Sequence, residues 1–535
     1  MKRYQKVLLG SVLGIFILLG GIQIYFSFFL DGQLKQTVVS RFHAATNNAY
    51  KLDIGNFDLE LLGRQLTISD ITVAKKADST NTDIRATLKR FSISGIGFTK
   101  LLFSQKLNLK QIQLINPAIY ITASSRQSNQ HNQWSSFSQR LSDISLQLLN
   151  QITIPKLSIH GLLVDFNRSD LSVNPYLTFR DSDIHLYDIS IDSTLLTDQR
   201  IFPSDNITTA FRDIRYQTND GLYNITADQI AFSSLECNLN ISSLAVQPQL
   251  DKTSFAKQFD HEIDRIDLKV KDIDAHKINS RKLNRAEGLK AKHLTVSAPD
   301  IDIYRDKRPP FPPNNKPLLP QQMIKNIPFP VNIDSLMISD GDIRYSEQVA
   351  GTEQPGHIRF TNVSATLNSL TNIKEHWSGD TIVMNAQANV MGPAELNAQF
   401  RFPMGSNNQH ISGSLTGMHM HPLNQALVPL ASVRIDNGKI LGMNFEMDLT
   451  EAHASGTMEF QYQNLKISLL NKQKNTETFG KKMKSVLANT FKVKSDNTGE
   501  NIRTGAINVE REINKSVFNY WWKSMLSGLK SSIGL

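Results

Sequence analysis

The chain has 535 residues, 40% hydrophobic and 20% charged, a balance that excludes a disordered or collagen-like polymer and leaves room for more than one domain. Its single cysteine, Cys237, excludes an intrachain disulfide and a cysteine metal cluster. The formal net charge of +9 would suit an anionic partner, but the excess reads as spread along the chain, a solvated surface rather than a nucleic-acid footprint.

The first predicted element begins at Val7 and ends at Leu30 without a charge. It holds about 24 residues, roughly 36 Å as a helix, enough to span a hydrocarbon core with some tilt. A cleaved signal peptide would show a shorter apolar run and small residues before the cut, whereas this run ends in Phe28, Phe29 and Leu30. The expectation is an uncleaved signal anchor. Lys2, Arg3 and Lys6 precede it, which favours a cytoplasmic tail over residues 1–6. The bulk of the chain then lies on the far side, the periplasm in a Gram-negative bacterium.

The body reads as β, because apolar residues two apart place their side chains on one face of a strand. Leu66 and Ile68 are followed by Ile71 and Val73; Ile184 and Leu186 by Ile189 and Ile191; Ile358 and Phe360 by Val363 and Ala365. A longer grid recurs at Leu109, Ile112, Leu114, Ile119 and Ile121, and at Ile154, Leu157, Ile159, Val164 and Phe166. It returns in "IDSLMISDGDIRYSEQ" as Leu336, Ile338, Ile343 and Tyr345. Within each copy the apolar set slips to the opposite parity, at a breaker: Asn116-Pro117, Gly161, Pro299 or Asp340-Gly341. An extra residue in one strand forms a bulge that returns the apolar set to its original face. A two-residue hairpin needs positive φ at both central positions, which proline cannot adopt, so the bulge is the common explanation. The hairpin is expected later, in "EQVAGTEQPGH".

These units predict a mainly β protein, an elongated curved antiparallel sheet forming an open groove, with sections at 31–304 and 331–470. The candidate groove-lining residues are Ile112, Leu114, Leu157, Ile159, Val164, Leu336, Ile338, Ile343 and Tyr345. A second sheet packed on the apolar face is the competing arrangement. Residues 305–330, including "RDKRPPFPPNNKPLLPQQ", read as an extended linker or a long edge loop.

Over 471–535 the period becomes helical. Phe479, Met483, Val486, Leu487 and Phe491 make one stripe. A second runs through Ile513, Val517, Trp521, Met525, Leu529 and Ile533, widened by Phe518, Trp522 and Leu526 and flanked by basic residues. Such a helix either caps the sheet or lies at a membrane interface.

No nucleophile elbow, phosphate loop, zincin helix or dinucleotide fingerprint occurs. His419 and His421 share a strand face, but no carboxylate or cysteine lies near them in sequence, so they read as surface residues. The aspartates of "DRIDLKVKDID" lack calcium-loop spacing. Nothing supports catalysis, a metal or another cofactor.

The anchor, the stretch "LKQTVVSRFHAATNNAYKLDIGNFDLELLGRQLTISDITV", the "LMISDGDIRY" grid with its partner "HIRFTNVSATLNSLT" and the ending "FNYWWKSMLSGLKSSIGL" together resemble the AsmA-like family of bacterial envelope proteins. The resemblance implies an inner-membrane anchor, a curved β-groove in the periplasm and passage of phospholipid toward the outer membrane, in the manner of bridge-like lipid-transfer proteins. It implies phospholipids, the inner membrane and other envelope proteins as partners, no nucleic acid and no catalytic residues. Oligomeric state stays open. The alternative is a non-catalytic assembly or scaffold protein that assists outer-membrane protein biogenesis.

Overall fold

The structure is a computed structural model. It describes residues 31–60, 62–76, 82–97, 106–123, 151–168, 176–191, 204, 206–279, 288–312, 316–376, 381–470 and 493–534. The expected anchor from Val7 to Leu30 lies outside the described residues, as does the stripe from Phe479 to Phe491. Among the described residues, no helix is long and apolar enough to cross a membrane. The described residues are mainly β, with twenty-one strands. It divides into two compact units, one holding the chain up to Gly221 together with Thr226–Asn238, the other Leu222–Ile225, Leu239–Asn279 and the chain from Arg285 onward.

The first unit opens with helix α1 (Asp31–Ala45), whose Val39 and Phe42 pack against Leu52, Ile54 and Ile68. The strands are β1 (Tyr50–Glu60), β2 (Gln65–Lys75), β3 (Thr82–Ser94), β4 (Lys106–Asn108), β5 (Gln111–Ala123), β6 (Gln151–Arg168), β7 (Leu177–Ile191) and β8 (Asn206–Gln217). β1, β2, β3 and β5 pair antiparallel in that order. β5 and β4 then pair with β6 in parallel, and β6, β7 and β8 continue antiparallel.

The second unit contains most of β10 (Asn238–Pro248), which follows β9 (Tyr223–Ser233) in the chain. Next come α2 (Lys252–Ala256), β11 (Asp264–His276), β12 (Leu289–Ser297), β13 (Asp300–Asp306), α3 (Pro320–Lys325), β14 (Val331–Gln348) and β15 (Gly356–Thr371). β16 (Thr381–Val390), β17 (Ala394–Pro403), β18 (Gln409–His419), α4 (Asn424–Ala431), β19 (Val433–Leu449), β20 (His453–Leu469), β21 (Thr504–Glu510) and α5 (Val517–Ile533) complete it. From β14 to β21 each strand pairs antiparallel with the next.

The expected all-antiparallel sheet is corrected: the strands are of mixed sense. The copies of the long grid are neighbours in parallel pairs, β5 on β6 and β12 with β13 on β14. Parallel neighbours need a long crossover connection. Residues 124–150, outside the described residues, join β5 to β6 in the chain, and 307–330, which hold most of the proline-rich segment, join β13 to β14. Within that second connection Leu319 and Gln321 are fully buried.

The parity slip is a bulge inside continuous strands. β14 runs unbroken through Asp340 and Gly341, while its register against β15 shifts on both sides of Gly341. β12 and β13 are two halves of one strand kinked at Ala298-Pro299, and both pair with β11 and β14. The residue at each slip has positive φ: Asn116 (52°), Gly161 (66°), Ala298 (47°) and Asp340 (56°). Asn, Asp and Gly tolerate that conformation best.

In the first unit the slips line up. Pairing skips Gly55 and Asp70 between β1 and β2, Asp70 and Lys89 between β2 and β3, and Lys89 and Asn116 between β3 and β5. It then skips Asn116-Pro117 and Gly161-Leu162 between β5 and β6. Asp181 on β7 and Asp213 on β8, both with positive φ, continue the line. A bulge bends its strand, so a row of bulges bends neighbouring strands along one crease.

Candidate functional site

Register places the grid residues in cross-strand rows. In the first unit Leu66, Ile93, Ile112, Leu157, Leu186 and Ile207 are successive partners across β2, β3, β5, β6, β7 and β8. Two residues along, Phe57, Ile68, Phe91, Leu114, Ile159 and Ile184 form a second row. Beyond the bulge line, Val73, Ala86, Ile119, Val164 and Phe179 form a third. The predicted residues Ile112, Leu114, Leu157, Ile159 and Val164 therefore share one apolar face, and all five are half-buried. Six buried residues, including Ile154, Leu186 and Ile189, anchor one end of that face.

The second unit has comparable rows. Leu294, Leu336, Leu367, Met384, Phe400, Ile411 and Met447 are partners from β12 and β14 through β19. Val296, Ile338, Ala365, Ala386, Ala398, Gly413 and Phe445 run beside them. Exposure falls along the first row: Leu294 to Phe400 are half-buried, but Ile411 and Met447 are 1% and 2% exposed.

The cause of that gradient is α5. Its Trp521, Met525, Leu529 and Ile533 pack on the cluster containing Ile411, Met447 and Met458. Trp521 also meets Phe400 at 5.1 Å with the rings tilted by 43° and donates from Nε1 to Gln409 Oε1 at 2.8 Å. Ser516 caps the helix by accepting from the Asn519 amide, and Gly534 ends it at φ 89°. Val517 is buried, whereas Trp522 is 42% exposed.

Tyr345 and Ile343 lie on the rows Ile303–Tyr345–Ile358 and Ile301–Ile343–Phe360. Tyr345 carries a polar end: its hydroxyl donates to Glu347 Oε1 at 2.7 Å, and burial, then Glu347, push its pKa up. Beside it Asp264 receives Arg305 Nε and Nη2 at 2.7 and 2.5 Å. Burial pulls the Arg305 pKa down, but the Asp264 hydrogen bonds and charge outweigh it and raise it overall. A charged border therefore closes that end of the apolar face, which parity alone could not reveal.

An open depression of about 750 Å³ lies elsewhere, on the opposite, polar face of β14–β19. Its walls are the row Met337, Thr366, Asn385, Gln399 and Ser412 and the row Ser364, Gln387, Asn397, Ser414 and Asn444, with backbone between them. Of the predicted residues only Ile338 touches it. The other apolar candidates do not line it.

The polar face of the first unit carries a second feature missed in the sequence. His160 and His185 meet edge-on at 5.0 Å, and Asp183 takes Arg212 at 2.9 Å and His160 at 3.4 Å. Burial, then His160 and Lys156, lower the His185 pKa; burial raises that of Asp183, but Arg212, the Gly161 amide and His160 together hold it low. Among the described residues no group of three or more His, Cys, Asp or Glu side chains could hold a metal ion. No family model matches the chain, and no curated protein matches it.

Proposed function

We propose that the chain is a cell-envelope lipid-transfer or lipid-homeostasis protein, held in the inner membrane of a Gram-negative bacterium by residues 7–30, with its bulk in the periplasm. In this reading the apolar rows hold phospholipid acyl chains while they pass toward the outer membrane. One observation carries the reading: Ile112, Leu114, Leu157, Ile159 and Val164 form contiguous apolar rows that stay half-exposed. A closed core would bury them, as it buries Ile411 and Met447. Transfer needs no nucleophile, because an apolar track offsets about 0.8 kcal/mol per CH₂ otherwise exposed to water.

The closure of β18–β21 under α5 favours a second reading for that part, a packed core that supports assembly contacts and carries no lipid. The acyl-chain track is therefore assigned to the open rows of β1–β8 and of β12–β17. Mass spectrometry of the purified fragment 31–535 tests the reading. Stoichiometric phospholipid supports it, and a lipid-free fragment that is folded and monodisperse contradicts it.

A further inference from the structure

We infer that the outward side of α5, together with the connection running beside it, is a docking surface for an anionic lipid bilayer. The inference goes beyond the acyl-chain track and stands whether or not the rows carry lipid.

The inward side of α5 is spent on the sheet, through Trp521, Met525 and Leu529, and Val517 is buried. Phe518 and Trp522, four residues apart and so on one helix side, point away from it at 69% and 42% exposure. Ile513, just before the helix, is 58% exposed. The connection between β13 and β14 is held against this region: Arg511 Nη2 donates to the Pro317 carbonyl at 3.3 Å, and Lys515 Nζ sits 3.2 Å from the centre of the Phe311 ring. Ile324 of α3 packs in the same cluster as Trp521. That connection adds Leu318 and Met323, 42% and 58% exposed. Five large apolar side chains from two adjoining segments are thus left in water, a concentration that marks an interaction surface.

Charge selects the partner. Residues 307–333 hold four basic side chains and no acidic one, and residues 511–535 hold four basic side chains against Glu512 alone, although Lys307, Arg308 and Lys523 already pair with Glu347, Asp306 and Glu512. Together these two segments carry a formal +7, comparable to the +8 of residues 85–142. The excess recurs in other stretches of the chain, as the sequence led one to expect, and here it coincides with the apolar patch. Exposed tryptophan and phenylalanine set among lysines and arginines suit the boundary of an anionic bilayer, where the rings enter the headgroup layer and the cations meet lipid phosphates.

The test uses the full chain reconstituted in phosphatidylcholine donor liposomes, with acceptor vesicles of phosphatidylcholine and phosphatidylglycerol free of protein. Tethering is read by energy transfer between labelled donors and acceptors. The parent should tether, added salt should weaken it, and Phe518→Ser with Trp522→Ser should cut it about tenfold or more. Both side chains are exposed, so the double variant should melt like the parent. If it does not, Ile513→Asn with Met323→Asn serves as the second reading of the same surface. Absence of tethering by the parent, or equal tethering by folded variants, overturns the inference. Tethering only when the acceptors also carry the protein overturns it too, in favour of a second copy of the chain.

Discussion

A carboxylate placed on the apolar rows distinguishes an open face from a closed core, and the protein offers a half-buried and a fully buried position for comparison. Ile411 is 1% exposed in a sealed cluster, whereas Ile159 is half-buried between Leu114 and Ile184. At Ile411, truncation alone costs about 2–5 kcal/mol, and an unpaired buried carboxylate adds several kcal/mol. At Ile159 the carboxylate can stay hydrated, so the cost is the lost burial of part of one side chain, about 1–1.5 kcal/mol. The difference, at least about 3 kcal/mol, corresponds to roughly 6–12 °C in Tm for a unit of this size. Thermal melts by circular dichroism of Ile159→Asp, Ile338→Asp and Ile411→Asp read it directly. The two open-face variants should melt within a few degrees of the parent and lose bound lipid, while Ile411→Asp should be severely destabilised. Equal collapse of all three would show that the rows are ordinary core and would refute the open face.

Gly161→Val should lower Tm by several degrees, because the position has positive φ and a Cβ there would collide with Oδ1 of Asn116; an unchanged melt would remove the structural need for that glycine. Acid should loosen β6 and β7. His185 has a folded pKa below its ordinary 6.5, so the unfolded chain takes up the proton first and stability falls as pH drops through that value. Asp183, also held low, adds a further loss as pH falls below its ordinary 3.8. Tm against pH should therefore slope downward toward acid, with the upper part of the slope abolished in His185→Gln; an identical slope in that variant would remove His185 as its source. Trp521→Ser should cost about 3 kcal/mol or more in the second unit through the lost Phe400 and Gln409 contacts, whereas Trp522→Ser should be nearly neutral in a melt.

The strand content and the bulges were legible because side-chain alternation and its interruption are local properties of sequence. Asn116-Pro117, Gly161, Pro299 and Asp340-Gly341 all mark slips inside or between halves of continuous strands. Strand direction was not legible. Parity places Leu114 and Ile159 on a face but does not say that their strands run parallel, and only the connection lengths hinted at it. For the same reason the proline-rich segment was expected as a linker or a long edge loop, with no sign that it joins β13 to a parallel β14. The stripe of α5 was visible, but its division into an inward Trp521 and an outward Trp522 depends on the placement of Phe400 and Gln409. The charged border beside Tyr345 was hidden because Asp264, Arg305 and Glu347 come from three separate strands.

The central claim, that acyl chains run over the apolar rows, is tested most directly by photo-crosslinking in cells at alternating positions of two adjacent strands. Benzoylphenylalanine would replace Leu114 or Ile159 on the apolar face, and Gln113 or His160 one residue away on the opposite face. The account predicts adducts of phospholipid mass at Leu114 and Ile159 and none at Gln113 and His160. Adducts independent of parity, or protein crosslinks alone at the two apolar positions, would contradict it.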